Sequence, residues 1–152
     1  MRKNFILIML TLGLNLFLSG CFRSKPPELT ATIETGNFLN PNVYNQASPV
    51  VVTFYQLKSA TIFQQVNFFS LYDNAAKTLG SDLLDKYEIE LRPEKTQEIH
   101  FNLSPAVNYI GVVAAFREPD RTQWRQVIPV TPGKSVELQA TVGAQNIIVI
   151  QK

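Results

Sequence analysis

The 152-residue precursor carries 14 basic and 12 acidic residues, one histidine and one cysteine, and 45% of it is apolar. Its two N-terminal bases, Arg2 and Lys3, fall in a segment that reads as removable, which leaves 132 residues with 12 bases against 12 acids. That balance excludes the basic footprint of a nucleic-acid binder and the acidic block of a disordered tail.

Arg2 and Lys3 open the chain, residues 5–17 form an apolar run broken only by Thr11, Gly13 and Asn15, and Ser19-Gly20 supply small residues. These are the three parts of a secretory signal, and the run is too short and too poorly flanked for a spanning helix. Cys21 directly after Leu18-Ser19-Gly20 resembles a bacterial lipobox. It implies removal of residues 1–20 and acylation of Cys21 by diacylglycerol and an N-acyl chain. A lone cysteine agrees, because an exported chain with one thiol has no internal disulfide to make. A single acyl chain binds reversibly, each buried methylene adding roughly 0.8 kcal/mol, so three chains would hold. Phe22 stands where an aspartate would retain a lipoprotein in the inner membrane, so onward sorting to the outer membrane, facing the periplasm, is expected. Residues 21–28 then form an acylated start and a tether that Pro26-Pro27 stiffens.

Residues 29–152 read as one β-sandwich domain. Leu29, Ala31 and Ile33 alternate with polar residues, the period of a half-buried strand. Residues 36–48 show no period. Residues 50–57 are β-branched and aromatic on both faces and should lie between two packed layers. The spacing of Ile62, Phe63, Val66, Phe68, Phe69, Leu71 and Tyr72 then turns helical, so an insert is expected near 59–80, lying as a lid on the core. Ser59 and Asn67 are its candidate N-caps, and Gly80 its terminator. Strands follow at Tyr87-Ile89-Leu91, at Ile99-Phe101-Leu103, across the nearly all-apolar 108–117, at 122–130, at 136–142 and at 146–150. Short strands with turn signals between them predict an all-β, two-sheet sandwich of about eight strands.

No catalytic constellation is visible, and the chain is expected not to be an enzyme. His100 lies on the polar phase of its strand, one histidine with an acylated cysteine builds no His/Cys metal pattern, and Asp73, Asp82 and Asp85 match no calcium loop. No metal, no cofactor beyond the covalent lipid and no small-molecule substrate are expected. The stretch that stands out is 36–48. Unstructured loops of this length are uncommon unless functional or disordered. This one holds Phe38, Leu39, Val43 and Tyr44, which need either a partner or a fold-back over an open sandwich edge. The candidate partner contacts are Phe38, Leu39, Asn40, Pro41, Asn42, Val43 and Tyr44.

Several pieces in order carry a resemblance. They are Leu39-Asn40-Pro41, Ser48-Pro49-Val50-Val51-Val52 leading to Tyr55-Gln56-Leu57, Phe68-Phe69-Ser70-Leu71-Tyr72, residues 79–84, residues 109–117 and Trp124-Arg125. Together they resemble the outer-membrane lipoprotein of type VI secretion systems, the TssJ (SciN, VasD) family, with Thr53-Phe54 where a basic residue would be usual. The resemblance implies a transthyretin-like sandwich with a helical insert, tethered to the inner leaflet of the outer membrane. It also implies binding to the periplasmic C-terminal region of the inner-membrane component TssM, through the loop joining the first two strands, here residues 36–48. The competing expectation from another class is a periplasmic lipoprotein module that binds a small ligand or a cell-wall fragment in the sandwich cleft.

Overall fold

The period of two at the start of the domain has its direct consequence: strand β1 (Glu28–Thr35) buries Leu29, Ala31 and Ile33 completely while its other side chains stay at least partly exposed. The computed structural model describes residues 25–152, so residues 1–24, with the signal segment, Cys21 and the first part of the tether, lie outside the described residues. After β1 come β2 (Val50–Leu57), α1 (Thr61–Gln65), α2 (Phe68–Leu79), β3 (Leu83–Leu91), β4 (Thr96–Asn102), β5 (Tyr109–Ala114), β6 (Arg125–Pro129), β7 (Val136–Val142) and β8 (Ile147–Gln151). Two four-stranded sheets result, β4-β1-β7-β8 and β3-β2-β5-β6. This is the expected sandwich of eight strands with its small helical insert. β1 runs antiparallel to β4 and parallel to β7, a pairing that side-chain alternation does not encode.

The main core lies between the sheets, with Leu29, Ile33, Val52, Phe54, Ile110 and Leu138 at its centre. A second cluster forms on the outer face of the other sheet, where Tyr55, Leu57 and Val113 meet Phe63, Phe68, Leu71, Ala75 and Leu79 of the insert. β2 is therefore packed on both faces, as its composition requires. The insert covers the back of a sheet rather than the inter-sheet core. Gly111 makes the close approach possible, because a β-carbon there would lie 2.5 Å from the Phe63 ring.

The insert is not a continuous helix: α1 and α2 are separate, and α2 is itself kinked at Asn74 (φ −141°, ψ 41°). Val66 is extended (φ −78°, ψ 157°) between them, and Asn67 caps α2 by accepting the Ser70 N–H at 2.9 Å. Ser59 does not cap: the residue at the N-cap of α1 is Ala60, and the Ser59 hydroxyl accepts the Thr61 N–H at 3.3 Å instead. Gly80 ends α2 at φ 54° as its position suggests. β5 stops at Ala114 rather than reaching Arg117, because Phe116 turns inward to 3% exposure.

The sandwich has two distinct ends. The tether arrives where Glu28 faces Asn102, with Leu103 donating its N–H to the Pro27 carbonyl at 2.7 Å and Lys152 donating its own to the Glu137 carbonyl at 3.0 Å. Buried Gln56 closes this end, donating to the Asn102 carbonyl at 2.9 Å and accepting the Ser104 N–H at 2.8 Å. β1 leaves at the opposite end, where Thr35 faces Val142. At about 3.3 Å per residue, the strand separates the two ends by roughly 25 Å.

Candidate functional site

Residues 36–49 emerge at that far end and are built as a short stem carrying a closed turn. The stem is buried. Leu39 is fully enclosed in the main core and its carbonyl accepts the Ser48 N–H at 2.9 Å. Asn40, 5% exposed and at φ 40°, adopts a backbone conformation that asparagine tolerates better than most residues. Its Nδ2 donates to the Pro49 carbonyl at 2.8 Å and its Oδ1 accepts the Arg117 N–H at 3.1 Å. One side chain thus ties both strands of the stem to the connection between β5 and β6.

The tip is organised by Asn42. Its Oδ1 accepts the N–H groups of Tyr44 at 2.9 Å and Gln46 at 3.0 Å, and its carbonyl accepts that of Asn45 at 2.9 Å. These bonds hold the turn without help from the rest of the protein, and they leave Val43 88% and Tyr44 79% exposed, with Phe38 45% exposed at the base. Val43 and Tyr44 are thus presented largely uncovered on a preformed turn. Of the seven contacts expected from the sequence, the structure brings Phe38, Val43 and Tyr44 to the surface and leaves Pro41 and Asn42 partly covered. Leu39 and Asn40 face inward, where apolar packing and hydrogen bonding make them supports of the loop rather than contacts.

An open groove of about 290 Å³ separates this tip from the β5–β6 connection, with Asn40, Pro41, Val43, Arg117, Glu118 and Arg121 on its walls. Arg121 pairs with Glu118 at 3.3 Å. On the other side of that connection Phe69 and Tyr72 of α2 are 59% and 50% exposed. Sequence reasoning assigned both to a packed stripe; the helical period places Phe68 and Leu71 inward and turns their neighbours outward. Beneath them Arg125 donates to the carbonyls of Phe63 at 2.7 Å and Val66 at 2.8 Å. It also lies 4.6 Å over the Trp124 ring, and burial draws its pKa below the usual arginine value.

The other polar residues singled out are dispersed. His100 sits exposed on β4, 3.1 Å from the Thr30 hydroxyl and 3.4 Å from Glu98. Among the described residues no group of three or more His, Cys, Asp or Glu side chains could hold a metal ion.

The family described as type VI secretion lipoprotein (VasD, EvfM, TssJ, VC_A0113) matches residues 27–145. The chain belongs to that family. The T6SS lipoprotein TssJ1 from Pseudomonas aeruginosa is 36% identical, with a TM-score of 0.79 over 84% of this chain and 98% of that one. Lip of Serratia marcescens, a membrane-bound component of the type VI secretion system, is 23% identical, with a TM-score of 0.76 over 84% of this chain and 99% of that one. A chain in the structure of the T6SS protein TssM C-terminal domain from EAEC is 22% identical, with a TM-score of 0.65 over 81% and 97%. The last two likenesses show the fold. No curated protein sequence matches the chain. The family is a structural lipoprotein component of the secretion system, not a family of enzymes.

Proposed function

We propose that the chain is anchored in the outer membrane by lipid on Cys21, faces the periplasm, and holds the periplasmic C-terminal region of a TssM-like inner-membrane component through the loop between β1 and β2. The observation that carries this reading is the Val43-Tyr44 pair, held out on its own hydrogen-bonded turn at the end away from the tether. A preformed apolar turn loses little freedom when a partner covers it. The far end is also the one an anchored body would present to anything reaching up from the inner membrane. Phe38, Pro41 and Asn42 complete the contact surface, and Leu39 and Asn40 keep it in place. The structure that includes a TssM C-terminal domain among the similar ones supports the choice of partner.

The test uses the full-length protein in cells. Val43→Asp with Tyr44→Asp should leave abundance and membrane fractionation unchanged, lower recovery of the TssM-like region from detergent-solubilised membranes at least about tenfold, and stop secretion. Unchanged recovery would remove the loop from the reading. Cys21→Ser should strip the protein from the outer membrane; continued outer-membrane fractionation of that variant would remove the anchor.

A further inference from the structure

Beyond the loop, we propose that the partner's footprint crosses the β5–β6 connection to the first turns of α2, with Arg117 as its charged centre and Phe69 as its second apolar contact. The inference rests on the docking role proposed for the loop. Three observations carry it.

The first is continuity. The groove beside Val43 has Arg117, Glu118 and Arg121 on its far wall, and the same three residues line a second shallow groove whose other wall is Phe69. Loop tip, ridge and helix form one uninterrupted surface. Asn40 fixes the ridge against the loop through the Arg117 N–H, so the surface is held as a unit.

Rigidity is the second. Phe69 packs edge-on against Phe68 with ring centres 5.4 Å apart, and Tyr72 stacks on the same ring at 5.3 Å. Phe68 is itself buried edge-on against Trp124 at 5.3 Å. Exposed rings held this way resemble binding hot spots, because little side-chain freedom remains to be lost.

Charge is the third. Glu118 is taken by Arg121, whereas Arg117 is exposed and makes no salt bridge with a carboxylate among the described residues. A guanidinium between two apolar patches is best met by a carboxylate flanked by apolar side chains. Asp120 lines the Phe69 groove as well, so that carboxylate would meet Arg117 from the side of the loop groove. Because the surface is continuous with the loop, the occupant is a segment of the same periplasmic partner with that chemistry.

The experiment compares Arg117→Glu, Phe69→Asp and the Val43/Tyr44 double variant in the full-length protein, each checked for wild-type protease resistance. A photo-crosslinking residue is placed at position 69 in parallel. Arg117→Glu and Phe69→Asp should each lower recovery of the TssM-like region at least about tenfold, Arg117→Lys should lower it less, and position 69 should crosslink to that region. Loss with the loop variant alone, while Arg117→Glu and Phe69→Asp bind as wild type, overturns the inference and leaves the loop reading intact. Loss with Arg117→Glu and Phe69→Asp but not with the loop variant overturns the loop reading and, with it, a footprint that runs from the loop to α2. A crosslink from position 69 to another copy of this chain also overturns the inference.

Discussion

The chain leaves the sandwich twice for long excursions, and the two spend their apolar residues in opposite ways. The insert of α1 and α2 turns Phe63, Phe68, Leu71, Ala75 and Leu79 toward the sheet and fills the space over Tyr55, Leu57 and Val113. Of its large apolar residues, the loop 36–49 buries only Leu39 and offers Val43 and Tyr44 to solvent. In the insert, apolar surface is a condition of stability, because without it β2 would expose its second face. At the loop tip it contributes nothing to the fold, since the turn is closed by Asn42 alone. Apolar residues that the fold does not need mark a surface kept for something else.

This contrast can be broken at several points. Phe63→Ala should be the most damaging, costing about 3–5 kcal/mol in denaturant unfolding, since it empties the space above Gly111. A loss below about 1 kcal/mol would mean the insert is not part of the cooperative fold. Asn40→Ala should cost about 1–3 kcal/mol, because it leaves the Arg117 N–H and the Pro49 carbonyl without partners. Amide exchange at Tyr44 and Gln46 should not change, because Asn42 holds those two N–H groups by itself. The stem would then be shown to belong with the core, and the tip with the solvent.

A smaller effect separates the two regions by pH. Burial pushes the Tyr55 phenol above the ordinary tyrosine value of 10.0. Its neutral form is the one the fold favours, so the stabilisation is complete below pH 10.0 and is lost as pH rises through the folded value. Alkaline melts should show this loss, and Tyr55→Phe should remove it. The smallest effect belongs to Val43→Asp with Tyr44→Asp, which should shift unfolding by no more than about 0.5 kcal/mol. A larger shift would end the distinction drawn between tip and insert.

Strands were legible wherever one face repeats every second residue: Leu29, Ala31, Ile33 and Val136, Leu138, Ala140, Val142 are buried as their alternation requires. The cap at Asn67 and the stop at Gly80 were legible for the same local reason. What could not be read depends on distant partners. The parallel match of β1 to β7 joins residues 107 positions apart in sequence, and nothing in either strand states it. In the loop, Leu39 and Val43 are equally apolar and no period distinguishes them. Only the hydrogen bonds of Asn40 and Asn42 decide that one points in and the other out. The apolar run 108–117 makes Arg117 the end of a strand, and its release into a ridge follows from the inward turn of Phe116.

The placement of β1 has a mechanical consequence. It is an interior strand, held by β4 on one side and β7 on the other, and it alone joins the incoming chain at Glu28 to the loop at Gly36. A pull applied upstream of Lys25 and opposed at the loop runs along the axis of this one strand. Ladder bonds lie across the strand direction, so such a pull shears many of them at once, and an interior strand has two ladders to shear where an edge strand has one. If the chain is held at the tether and at the loop as proposed, the load runs along a strand that is bonded on both sides.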